Sequence, residues 1–212
     1  MKAAFSEQGV AWVADGRACV ARKPDYAPFC PRLGRASDVA WNGGDAWAAL
    51  PGVGLVITLD RAAQSVYAGA VVALSARHIY REDGSALTYS GSPAGQIAGT
   101  PTRVTTGGDG QDYVVLNGEL RRFSDNALID PAPLPHLLPT SLGVQGVGVP
   151  TVVTDNGTYR LSGAYLERLD NGGAVIARVA DDALEVGAVG QDILTVSALG
   201  KLRHFSGSLQ EF

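Results

Sequence analysis

Residues 103–125 read RVTTGGDGQDYVVLNGELRRFSD. A short apolar strand leads into a Gly-rich polar turn, and a second apolar run, DYVVL, ends at Asn117-Gly118. That dipeptide tolerates positive φ in a two-residue hairpin turn. A third strand follows and stops at Ser124-Asp125. The same order of parts returns in residues 9–22 (GVAWVADGRACVAR), 38–60 (DVAWNGGDAWAALPGVGLVITLD), 70–91 (AVVALSARHIYREDGSALTYSG), 143–163 (GVQGVGVPTVVTDNGTYRLSG) and 185–207 (EVGAVGQDILTVSALGKLRHFSG). Asp15-Gly16, Asp83-Gly84 and Asn156-Gly157 take the hairpin position in their copies, and Pro51-Gly52 with Gly54 and Leu199-Gly200 take it in the remaining two. A period of this size marks a repeat architecture, and the spacing leaves room for four short strands per unit.

A further apolar stretch follows each Ser-Gly or Ser-Asp end: NALID after Ser124, AYLERL after Ser162-Gly163 and SLQEF after Ser206-Gly207. These supply a fourth strand. The expected fold is therefore all-β, a small six-bladed β-propeller in one domain spanning residues 1–212. A β-sandwich would explain the alternation and the turns but not the ends of the chain. The N-terminal copy reads as lacking its first strand, so Ser208 to Phe212 are expected to join the N-terminal blade and close the ring, since closure removes exposed sheet edges.

Composition bounds the rest. Hydrophobic residues make up 46% of the chain and can fill a large core, while 27 Gly and 11 Pro suit many short strands rather than a helical bundle. A net charge of -4 and the lack of a basic run argue against nucleic acid as a partner. No apolar run reaches the ~18 residues a spanning helix needs, so membrane insertion is not expected. MKAAFSEQG has no apolar core of a secretory signal. Cys19 and Cys30 match no zinc or redox spacing and are left open between a disulfide and two buried thiols, and the compartment stays open with them.

The segments AWVADGRACVAR (residues 11–22) and TVVTDNGTYRL (residues 151–161) resemble propeller repeats of the NHL and streptogramin-lyase-like kind, in which a strand ends in Asp before a turn and the next strand is apolar and basic. The likeness covers about a dozen residues per copy and implies the fold alone, because no residue set here carries over the lyase activity. The WD dipeptide of WD40 repeats is absent.

Placed on a propeller, the turns opening on one face carry Asp45, Asp112, Asp192, His78 and Pro150, and are read as lying between the second and third strands. Carboxylates at one repeat position could form a ligand rim for a cation or a sugar. The simpler reading, favoured here, is that each Asp bonds its own turn. His136 lies in the Pro- and Leu-rich connection from Asp125 to Thr140, and Tyr26 and Phe29 in the shorter KPDYAPFCP. The favoured reading of the first is an inter-blade crossover packed on the propeller face, the alternative a lid or partner-binding loop; the second is a similar case with Tyr26 and Phe29 as candidate exposed contacts. His204 is expected to be solvated. Arg121, Arg122, Arg160 and Arg203 are explained by protection of sheet edges, and Trp12, Trp41 and Trp47 by packing between blades. No nucleophile elbow, phosphate loop, metal-ligand spacing or cofactor motif occurs. The sequence therefore favours a non-catalytic binding or scaffold propeller that presents a loop face to a protein or other macromolecule, with a protein or a glycan as the candidate partner. The alternative is a protein or enzyme acting on a carbohydrate or other polar small molecule at the channel mouth through Asp45, His78, Asp112 and Asp192.

Overall fold

The computed structural model describes residues 2–61, 63–132 and 151–212. Its strands form six antiparallel sheets that follow one another along the chain, the blades of a β-propeller. Blade one is β1 (Lys2–Ser6), β2 (Gly9–Ala14) and β3 (Arg17–Arg22); blade two is β4 (Asp38–Asn42), β5 (Asp45–Leu50), β6 (Leu55–Thr58) and β7 (Ser65–Tyr67). Blade three is β8 (Val71–Leu74), β9 (His78–Arg81), β10 (Ser85–Thr88) and β11 (Pro93–Gln96), and blade four is β12 (Arg103–Thr106), β13 (Asp112–Leu116), β14 (Glu119–Arg122) and β15 (Leu128–Asp130). Blade five is β16 (Thr151–Thr154), β17 (Gly157–Ser162), β18 (Tyr165–Leu169) and β19 (Val175–Ala180), and blade six is β20 (Ala183–Val189), β21 (Asp192–Ser197) and β22 (Leu202–Phe205).

Among the described residues the core is mostly a series of apolar layers between successive blades, with one small cluster, Tyr113 and Leu120, inside blade four. Successive side chains of a strand point to opposite faces, and each second strand packs on both. In β2, Val10, Trp12 and Ala14 meet Val189, Leu194 and Val196 of blade six, while Ala11 and Val13 meet Val39, Trp41 and Ala48 of blade two. In β5, Ala46 and Ala48 face blade one, and Trp47 and Ala49 face Val71, Leu74 and Ile79 of blade three. Burial on both faces is why GVAWVA and DAWAAL read as unbroken apolar runs rather than as alternation. Indole N–H groups that enter these layers find backbone acceptors: Trp12 Nε1 donates to Gly200 O at 3.1 Å, and Trp41 Nε1 to Ala4 O at 2.9 Å.

Two expectations about the chain ends are corrected. The N-terminal blade has its own first strand, because β1 pairs with β2 from Lys2↔Val13 to Ser6↔Gly9. The C-terminal residues do not join that blade: Glu211 bridges to Phe205 and Phe212 N–H donates to His204 O, so the tail takes the fourth-strand position of blade six through a single bridge. Two contacts hold it there. Leu209 is buried in the layer between blades five and six, and the Arg203 guanidinium forks onto Glu211. In blade one the corresponding place is filled by Phe29, which exchanges backbone hydrogen bonds with Val20.

The fifth copy is out of register by one strand. Asn156-Gly157 lies between the first and second strands, β16 and β17, and the stretch taken as a fourth strand, β18, is the third. Only Asp15-Gly16 (φ 47° and 74°) and Asn117-Gly118 (φ 52° and 80°) have the two positive φ values of the expected hairpin turn. Likewise the turns before Asp45, Asp112 and Asp192 join first to second strands, not second to third.

Cys19 and Cys30 form a disulfide. No described helix is long and apolar enough to cross a membrane.

Candidate functional site

Asp112 begins β13 and is buried at the joint between blades three and four. Its Oδ2 accepts hydrogen bonds from Ser75 Oγ at 2.5 Å, His78 Nδ1 at 2.7 Å and Tyr80 OH at 2.8 Å, all from blade three. Its Oδ1 accepts one from Thr106 Oγ1 at 2.7 Å. Local structure explains the convergence. His78 and Tyr80 are two residues apart on β9 and so share a face, and Thr106 stands directly opposite Asp112 across the β12–β13 ladder. Burial pushes the Asp112 carboxyl up, but the bonds from His78, Ser75, Thr106 and Tyr80 outweigh it and hold the group below the usual carboxylate range. Burial and the neighbouring carboxylate together push the Tyr80 phenol far up, so it stays a donor. With an ionised carboxylate on Nδ1, His78 carries its proton there and turns Nε2 away from the hub.

Asp192 serves the joint between blades six and one. Tyr26 OH donates to it at 2.8 Å, and burial followed by this contact pushes the Tyr26 phenol up. His204 Nε2 lies 3.2 Å from Asp192 Oδ1 without the alignment of a hydrogen bond. The His204 ring is not solvated as expected but sits between Tyr26 and Phe212, each with its centroid 4.5 Å away. Asp45 is looser, 3.8 Å from Arg61 Nη1. The three aspartates thus occupy one repeat position, each at the start of a second strand, yet none shares a partner with another. Among the described residues of the expected site, two pairs meet, His78 with Asp112 and Tyr26 with Asp192, and only the first is part of a larger network. His136 and Pro150 lie outside the described residues, as does most of the connection that contains them. Among the described residues no group of three or more His, Cys, Asp or Glu is placed to hold a metal.

The axis carries groups that sequence reading passed over. A cavity of about 310 Å³ lies between the first strands of blades one to four, with Lys2, Ser75, Thr105 and Thr106 in its wall. Lys2 Nζ there pairs with the buried Asp38 at 2.6 Å and donates to Leu74 O at 3.1 Å, while Asp38 accepts the N–H groups of Val39 and Leu74. One carboxylate therefore links three blades. Burial pushes the Glu185 carboxyl on β20 up, against the pull of Lys2 and Arg103. The available signal was a charged residue in an otherwise apolar first strand, as in DVAWN and ALEVGAV.

No family model and no curated protein sequence matches the chain. Solved structures match in fold. PorZ of Porphyromonas gingivalis, described as an essential bacterial surface component of the type-IX secretion system, aligns at 13% identity and a TM-score of 0.59 over 99% of this chain and 37% of that one. Virginiamycin B lyase from Staphylococcus aureus aligns at 12% identity and 0.48, over 93% of this chain and 76% of that one. BamB from Moraxella catarrhalis aligns at 13% and 0.36, over 99% and 73%. The chain thus spans little more than a third of PorZ, and what it shares with PorZ is the β-propeller fold.

Proposed function

We propose that the chain is a non-catalytic binding propeller, one closed ring of six blades that presents its connecting loops to a protein partner. The observation that carries this reading is the engagement of the candidate acid and base groups. Asp112 is saturated by four donors, and Asp192 accepts a hydrogen bond from Tyr26. Groups spent in this way hold blades together and leave little for a substrate. Contacts of blade six with blade one support a closed ring: Phe5 lies against Gly187, and Trp12 reaches Gly200. The acidic balance of the chain favours a protein over a nucleic-acid partner.

The test sets the intact chain beside His78→Ala. Both immobilised proteins should recover the same partner in reciprocal captures, and neither should turn over a panel of glycoside and ester substrates. Turnover by the intact chain that His78→Ala abolishes would overturn the reading in favour of an enzyme.

A further inference from the structure

The connection from blade one to blade two carries an arginine cluster. Arg17 opens β3 directly after the Asp15-Gly16 turn, and the chain returns past that turn with Arg32 and Arg35. The stem of Arg35 lies on Gly16 so closely that a Cβ there would fall 2.6 Å from Arg35 Cγ. Two adjoining depressions, of about 490 and 650 Å³, meet at Asp15, Gly16 and Arg35. Arg17 and Arg32 line the larger, and Val13 and Pro51 the smaller.

All three arginines are exposed, and none has a hydrogen bond or ion pair among the described residues. By contrast, Arg22, Arg121, Arg122, Arg160 and Arg203 each hold a carboxylate. The segment that carries Arg32 and Arg35 is also fixed at both ends. Cys30 is joined to Cys19, Phe29 is paired with Val20, and Ala36 N–H donates to Gly16 O at 2.8 Å. Ordering costs are therefore largely met before a ligand arrives.

We propose that this surface of blade one binds an acidic peptide segment of a protein partner, its carboxylates on Arg17, Arg32 and Arg35 and an apolar side chain in the depression beside Val13 and Pro51. The planar guanidinium matches a carboxylate in a two-point contact. Asp15, in both depressions, opposes either anion, and a nucleic-acid backbone fits less well because the sequence has no basic run to continue the cluster along successive phosphates. The proposal rests on the binding reading above and specifies its face and its partner's chemistry.

Fluorescence anisotropy of the full chain with a labelled peptide of alternating Glu and Leu tests it. The expected result is saturable binding that weakens with salt and falls about tenfold or more in Arg32→Gln/Arg35→Gln, with a smaller fall in Arg17→Gln. A Gln-Leu peptide should bind at least about tenfold more weakly. Equal affinity for the two peptides, unchanged binding by the variants at an unchanged melting temperature, or tighter binding of a DNA duplex would each overturn the proposal. A captured partner retained in full by Arg32→Gln/Arg35→Gln would refute this site and leave the binding reading standing. An intact chain that captures no partner would refute the binding reading itself.

Discussion

Asp112 shows what a single carboxylate does in this fold. It is the one group that Ser75, His78 and Tyr80 of one blade and Thr106 of the next all reach. Asp112→Asn keeps the shape, but it removes the charge that four hydrogen bonds share, and its NH₂ must face either the three partners of Oδ2, the His78 N–H among them, or Thr106. A loss of about 2–4 kcal/mol in urea unfolding at neutral pH is expected, the range for breaking a buried hydrogen-bonded charge. A change under about 0.5 kcal/mol would mean that the hub does not hold the joint. The pH dependence has a fixed sign. The folded carboxyl titrates below its ordinary value of 3.8, so its contribution is complete above that value and fades as pH falls through the lower folded one. The gap between the intact chain and the variant should narrow on that acid limb alone. Asp112 and His78 were both conspicuous in the sequence, one after a Gly-rich turn and one in an apolar strand. Their partnership was not, because it crosses from one blade to the next and depends on how neighbouring sheets are rotated.

At the scale of the element, most strands were legible for a simple reason: a strand buried on both faces has to be apolar throughout, as in β2 and β5. The error in the fifth copy shows the limit of turn dipeptides. Asn-Gly marks a tight turn but does not say which pair of strands it joins, and the β16–β17 turn looked like the β13–β14 hairpin. The last strand was misplaced for a related reason, since a five-residue tail carries too little pattern to name its partner. Its contacts decide the matter: Glu211 pairs with Phe205, Arg203 clamps Glu211, and Leu209 fills the layer toward blade five. Deleting residues 208–212 should cost about 2–4 kcal/mol, chiefly from the buried Leu209 and the uncovered edge of β22. Amide exchange locates the damage. Protection should fall in β22 and in the facing strands of blade five, while β1 to β3 keep theirs until global unfolding. Loss confined to β1 to β3 would restore the pairing first expected from the sequence.

For the whole molecule, the decisive question is whether six separately built blades act as one. Each blade is contiguous in the chain, so among the described residues no shared strand joins the first to the last, and contacts made by side chains hold that joint. Phe5 of β1 lies over Gly187 of β20, where an added Cβ would fall 2.2 Å from Phe5 Cγ; beside it Trp12 reaches Gly200 and Tyr26 reaches Asp192. The repeat made six blades readable, but nothing periodic announced this contact, because a glycine inside a strand is read locally as a weak point or a bulge and here makes room for a ring from another blade. Gly187→Ala should therefore destabilise by overpacking, by about 1–3 kcal/mol. Because the described apolar layers at five of the joints (one–two, two–three, three–four, five–six and six–one) are each shared by two blades, the loss should appear as one transition, coincident in tryptophan fluorescence and circular dichroism. Phe5→Ala removes the obstructing ring, so adding Gly187→Ala to it should cost much less than Gly187→Ala in the intact chain. Equal costs in both backgrounds would show that Phe5 and Gly187 do not meet in solution, and that the first and last blades are held together by something else.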